Sequence, residues 1–478
     1  MGGSRKVQVV VSPGHDCAVR GTAPRNFAIG LGAASMLAAA LLLVLFKPET
    51  PAVAQTSGAT YVGVATCGGT TCHGRSEADG PVVRQDELMI WQDPASPTGA
   101  HSRAYAVLRE PRSQQIAQRL GIGQASTAPM CLGCHATPAT AQRGIRFLTT
   151  DGVGCESCHG AASGWLSSHY AVGGTHANNV SRGLVPLENP RVRAGVCLDC
   201  HFGSADENQF VTHRIMAAGH PRISFELDLF STLQQHHQTD DDYRQRKGRG
   251  TALQTWAVGQ AMALERSLTL FSSPSRGTEG MFPEFYFLDC HSCHRRISDD
   301  TNFQPTVVAN PGRPIPSGMP PYNDENMIML AAAARVIAPG LAARFDRDSR
   351  AFHQAMARDR ASAVAAAGRL RDSARALSAA FAGTTMGRAQ TFAIIDAITS
   401  EAISPRFTDY AGSVQAVMAT DTLLSALVNE GEITQATANR IRGDINGAYR
   451  AVRDPNAYSP GDFRASLGRA AAAIRRLR

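Results

Sequence analysis

Lysine is nearly missing from this chain: of 47 basic side chains only Lys6, Lys47 and Lys247 are lysines, and the rest are arginine. No Ser-His-Asp grouping, glycine-rich phosphate loop or carboxylate pair stands out, which leaves hydrolytic and nucleotide chemistry without a visible site. Cysteine and histidine stop early, with no cysteine and only His353 beyond residue 323. The formal charge of +7 suggests a nucleic acid or an acidic lipid as partner. That reading fails, because residues 1–54 supply +3 of it and leave +4 for all the rest. With 478 residues and 43% hydrophobic content the chain can bury substantial cores, and its length fits two or three units.

What is present is cysteine in pairs. Gly152-Val153-Gly154-Cys155-Glu156-Ser157-Cys158-His159-Gly160 carries two thiols three apart with an imidazole directly after the second. That is the attachment pattern of c-type haem, in which each thiol adds across a vinyl group and the histidine takes the proximal position on iron. Cys131 and Cys134 with His135, Cys197 and Cys200 with His201, and Cys290 and Cys293 with His294 repeat it. Cys67 and Cys72 with His73 form a widened variant, for which a Cys67–Cys72 disulfide is the alternative. Ten of the eleven cysteines are spent in five such pairs. Zinc sites do not require the fixed histidine and disulfides impose no such constraint, so the expected cofactor is haem c, five copies. Their propionates would bring the exported chain close to neutral. Arginine forks suit those propionates, although a GC-rich genome produces the same arginine bias.

Covalent haem on exported thiols calls for an export signal. Residues 1–25 are basic, and the apolar run Phe27–Phe46 within segment 26–47 is uncharged and followed by Lys47. The basic flank stays in the cytosol, which sends the remainder to the periplasm. Ala52-Val53-Ala54 has the form of a cleavage site, yet the run is long enough to span a bilayer. Both outcomes stay open: a removed signal peptide, or a single transmembrane helix tethering the chain to the inner membrane. His15 and Cys17, on the cytosolic side, are read as incidental.

Residues 55–303 are expected to form a pentahaem cytochrome c domain with little regular sheet. His101, Tyr105 and Leu108 share a helical face, which makes His101 a candidate distal ligand. His169 and His176 follow the third site in a glycine-rich stretch, with His169 favoured. His213 and His220 are seven apart and suit two different irons. Met216 is read as packing, with an axial role as the alternative; His236 and His237 are read as part of a solvated loop, with one of them as a ligand as the alternative; and His291 is read as a spacer within its motif. Phe282, Phe285, Tyr286 and Phe287 are placed to line a porphyrin. A proline-rich linker is expected over 304–323. Residues 324–478 read as an antiparallel α-helical bundle with helices over 325–337, 349–381, 388–403, 414–429, 434–452 and 460–477. Its role is docking or oligomer formation, or covering one face of the haem region. The fold class is therefore mainly α.

From Tyr61-Val62-Gly63 through Cys72-His73, His101-Ser102, Cys131 to His135 and Gly152 to Gly160, order and spacing resemble the cytochrome c-554 family of multihaem c-type cytochromes. The likeness covers roughly residues 61–201. It implies a periplasmic carrier of the kind that takes electrons from hydroxylamine oxidoreductase, with His101 and His169 matching distal ligands of bis-histidine haems stacked in close pairs. A fifth site, the widened first site and the C-terminal helices depart from that pattern. Related haem enzymes include an octahaem hydroxylamine oxidoreductase and a pentahaem nitrite reductase, but this chain lacks the haem count of the first and the Cys-x-x-Cys-Lys site of the second. The function expected is electron transfer between periplasmic or membrane redox proteins. The alternative is an oxidoreductase acting on a small nitrogen or sulfur compound at a five-coordinate haem.

Overall fold

The computed structural model describes residues 58–478 apart from 79–83, 139–141, 249, 279–280, 296, 303–309, 311–312, 317 and 408. The expected cytosolic segment, the apolar run and the candidate cleavage site lie outside the described residues. Named strands are confined to β1 (Thr60–Tyr61) and β2 (Gln142–Arg143), which pair in parallel.

Up to residue 247 the helices are short. They are α1 (Val64–Cys67), α2 (Glu87–Gln92), α3 (Pro111–Leu120), α4 (Pro129–His135), α5 (Cys155–His159), α6 (Leu166–His169), α7 (His176–Ser181), α8 (Pro190–His201), α9 (His213–Ala217), α10 (Leu227–Leu233) and α11 (Asp241–Lys247). Helices of this length are marginal in water on their own. Little apolar packing holds them: one small cluster joins Leu108, Ala117 and Ala125, and another joins Ala194, Leu198, Phe202, Phe225, Leu227 and Ala263.

Beyond residue 251 the helices lengthen into α12 (Ala252–Ser272), α13 (Glu325–Ile337), α14 (Pro339–Met356), α15 (Arg360–Ala382), α16 (Arg388–Ala402), α17 (Tyr410–Asn429), α18 (Gln435–Ala451) and α19 (Pro460–Arg475). Thr251 opens α12, its hydroxyl accepting the Gln254 N–H at 3.1 Å. Small residues let α15 lie close on α12, with Ala363, Ala366, Ala367 and Ala374 all buried. Trp256, Phe271, Phe345, Phe352 and Phe381 fill the core, and burying a large apolar side chain contributes about 2–3 kcal/mol. The helix α17 is long and apolar enough to cross a membrane, but 78% of that window is buried, as in a core helix.

The expected helices 325–337 and 388–403 are found almost as read, whereas 349–381 is two helices. Pro339 starts α14 early at a first-turn position, and Asp359 interrupts the run by accepting the Ser362 N–H at 2.8 Å, a new N-cap. The described part of 304–323 does not separate two cores. Tyr322 is fully buried with its hydroxyl 2.6 Å from Ser267 of α12, and Arg313 reaches Asp324 at 2.6 Å and Asp409 at 2.9 Å. On its other side α12 packs against α8, where Arg266 bonds Asp199 at 2.6 Å inside the fourth cysteine motif. The helical C-terminal third and the cysteine-bearing region are thus joined along α12.

Candidate haem sites

Glycine and a buried carboxylate set the third motif in place. Gly63 has φ 89°, and a Cβ there would lie 2.3 Å from the Arg146 carbonyl oxygen, so only glycine fits. Glu156, buried inside Cys-Glu-Ser-Cys-His, accepts N–H bonds from Val62 at 2.9 Å, Gly63 at 2.8 Å and Ala162 at 2.7 Å. Gly152, also left-handed at φ 74°, would drive a Cβ to 2.6 Å from the His101 carbonyl oxygen, and Val153 donates to that same oxygen at 3.1 Å. The segment carrying His101 is thereby tied to the third motif.

Each of the five motif histidines faces another histidine. Ring centroids are 6.1 Å apart for His73 and His169, 6.2 Å for His201 and His101, 6.3 Å for His135 and His220, and 6.3 Å for His294 and His213. His159 faces two rings, His236 at 6.2 Å and His237 at 5.9 Å, and the ligand atoms of these three lie within 4.8 Å of one another. Two imidazoles on opposite sides of one metal ion, each bonded at about 2.0 Å, would have centroids about 6 Å apart. Direct ring stacking would not hold five pairs at one spacing with interplanar angles from 19° to 87°.

The second nitrogen of several rings is already committed. His73 Nδ1 bonds Glu87 at 2.9 Å, while His135, His220 and His236 donate Nδ1–H to the carbonyls of Ala104, Pro221 and Gln234 at 2.7, 2.8 and 2.9 Å. Such bonds fix the tautomer and leave Nε2 for a metal. The hydrogen bond to Glu87 raises the His73 pKa, whereas burial pushes His159 and His201 down to about 4, which keeps those two rings neutral. Neutral imidazole is the ligating form.

None of the ten motif cysteines is paired in a disulfide; eight are half-buried, and Cys72 and Cys293 are exposed. Burial raises Cys158 to about 12 and Cys197 to about 11. Thiols of different motifs meet: the Cys155 thiol lies against Cys67 and raises its pKa, Cys134 Sγ lies 4.0 Å from the Cys200 carbonyl oxygen, Cys197 adds to the rise at Cys158, and Cys158 adds to the rise at Cys200. Motifs one and three, three and four, and four and two are therefore neighbours. The fifth is reached through the segment His213–Arg222. His220 faces His135 while His213 faces His294, and Arg222 contacts Cys290 Sγ at 3.5 Å. Paired thiols, opposed imidazoles and the buried Trp165 Nε1, which has no protein partner beside His169, together fit haem c.

Four of the distal candidates, His101, His169, His213 and His220, stand opposite motif histidines. His176 does not: its Nε2 bonds Glu188 at 2.6 Å, and the ring opposite His159 comes from His236 or His237. That histidine doublet was hidden by its hydrophilic neighbours, and only the turn after α10 brings it to α5. His291 is not an idle spacer. It is buried, donates Nδ1–H to the Pro455 carbonyl at 2.8 Å and packs edge-on against Tyr458, clamping the fifth motif to the C-terminal helices. Of the expected porphyrin-lining aromatics, Tyr286 and Phe287 turn into the helical core, and Phe285 lies against His213 at 5.3 Å.

No curated protein and no solved structure matches this chain. Residues 66–160, which hold the first three motifs with His101 between them, match the family model described as cytochrome c554 and c-prime. Over that segment, less than half of the chain, the sequence is similar to the cytochrome c554 family, which supports a c-type cytochrome involved in electron transfer.

Proposed function

We propose that this chain is an electron carrier holding five haems c, one at each Cys-His motif, with His73, His135, His159, His201 and His294 proximal and all five irons bis-histidine. The observation that carries this reading is the single ring spacing, 5.9–6.3 Å, shared by five separate pairs of histidines. The distal partners are His169, His220, His236 or His237, His101 and His213 in the same order. An iron held by two imidazoles supplies one-electron transfer and offers no position for substrate.

The residues of the chain set orientation, exclusion of water and order. Glu87 and the carbonyls of Ala104, Pro221 and Gln234 hold the rings, and burial keeps water from the third and fourth motifs. The contacts between motifs define a conduit in the order one, three, four, two, five. Its ends are the most open motifs, since Cys72 and Cys293 are exposed. These ends are the contact points for periplasmic or membrane redox partners. The apolar segment 26–47 delivers the chain to the periplasm, either as a removed signal or as a tether to the inner membrane. A nitrogen- or sulfur-compound reductase would require a motif histidine with nothing opposite, and the described residues contain none.

The count is tested by intact mass together with the pyridine haemochrome spectrum. Five covalently held haems are expected, with Cys67 and Cys72 both alkylated by the first. A mass showing four, with a Cys67–Cys72 disulfide, contradicts the reading at the widened site.

A further inference from the structure

Four of the motif histidines face one other histidine and His159 faces two. His236 and His237 are consecutive, their centroids 4.1 Å apart, and both rings stand nearly perpendicular to His159, at 87° and 84°. They are not equivalent. His236 is half-buried and donates Nδ1–H to the Gln234 carbonyl at 2.9 Å, so its Nε2 is already presented. His237 is exposed, and no hydrogen bond to its ring is found among the described residues. Both sit in the turn between α10 and α11, which is anchored on either side. Glu226 caps α10 through the N–H groups of Asp228 and Leu229, and Asp240 caps α11 at Tyr243 while pairing with Arg84 at 3.3 Å.

We propose that the iron above His159 has two interchangeable distal ligands, His236 as the oriented resident and His237 as a reserve. Exchange would break one iron–imidazole bond and form another of the same kind, with no change of oxidation state. Movement within a short anchored turn suffices, and the iron stays six-coordinate in both states. The third motif adjoins both the first and the fourth, so exchange acts in the interior of the conduit and not at an exposed end. This inference rests on the bis-histidine reading above.

The test uses the full-length, haem-loaded protein and variants H236A, H237A, H236A/H237A and H169A. Spin state is read by electron spin resonance of the oxidised form, and carbon monoxide binding by difference spectra of the reduced form. Each single variant of the doublet is expected to stay entirely low-spin and to bind no carbon monoxide. The double variant is expected to show one iron in five as high-spin and carbon monoxide-reactive. H236A or H237A alone producing that full signal overturns the exchange, and so does a double variant that remains low-spin. H169A is expected to yield one high-spin iron at the first motif. If it does not, the underlying bis-histidine reading fails, independently of the doublet.

Discussion

Residues 58–247 and residues 252–478 are both built from helices but are held together by different means. In the first, helices of four to twelve residues enclose two small apolar clusters, and the longest-range order comes from opposed imidazoles and touching thiol motifs. In the second, helices of 13 to 23 residues share one large core in which Trp256, Phe352, Leu370 and Phe463 are fully buried. The difference teaches that residues 58–247, which hold four of the five motifs, have little apolar core of their own, whereas residues 252–478 have a large one. Short helices become stable only when something apolar is packed between them, and a porphyrin face is apolar.

The comparison is broken most severely by preventing haem attachment. With all ten motif cysteines replaced by alanine in the full chain, hydrogen exchange is expected to show lost protection across 58–247 and retained protection in α12 to α19. Equal protection of both regions would mean that the first has a self-sufficient core after all. A second, smaller effect sharpens the account of the C-terminal region. Arg313, largely buried, pairs with both Asp324 and Asp409, and Asp324 also meets His353 at 3.2 Å. R313M leaves buried carboxylates unpaired and is expected to cost about 3–5 kcal/mol in denaturant unfolding of that region. The low-spin haem spectra should persist at low denaturant.

The smallest effect probes the joint between the two regions. Glu226 caps α10, touches Thr422 of α17 at 3.2 Å and is pushed up to about 7 by burial, and burial followed by the Glu226 charge raises Asp228 as well. Because the folded form holds this proton more tightly than the unfolded form, its stabilising contribution is complete below the ordinary glutamate range. It is lost as pH rises through about 7. Stability should therefore fall between pH 5 and pH 8 by on the order of 2–3 kcal/mol from this group alone, and E226Q should flatten that slope in thermal melts recorded across the range. A slope unchanged in E226Q would assign the dependence to other groups.

Much of this was readable in the sequence because covalent haem attachment has a local grammar. Two thiols and a trailing imidazole lie within a few residues, so Cys155, Cys158 and His159 announce themselves without a fold. Helical periodicity is likewise local, and α13 and α16 match the expected spans nearly to the residue. Distal ligands are tertiary facts. His101, His169, His213 and His220 were candidates because their own segments were apolar, small-residue or glycine-rich. His236 and His237 sit beside Asp240, Asp241 and Asp242, whose polarity masks a ring that folding carries to His159. His176, in an equally plausible stretch, is held by Glu188 instead. The joining of the two regions along α12 was also not legible, because the prolines between 304 and 323 signal a break in helix and carry no information about whether the cores on either side are continuous.

The central claim is that all five irons lie between two imidazoles, and electron spin resonance of the oxidised full-length protein, followed by carbon monoxide addition to the reduced form, tests it most directly. The account predicts only low-spin iron and no carbon monoxide adduct, with a rhombic signal from the near-parallel rings of His73 and His169, 19° apart, and more anisotropic signals from the near-perpendicular pairs. A high-spin signal from even one iron, matched by a carbon monoxide adduct, would contradict it and point to a substrate-binding haem.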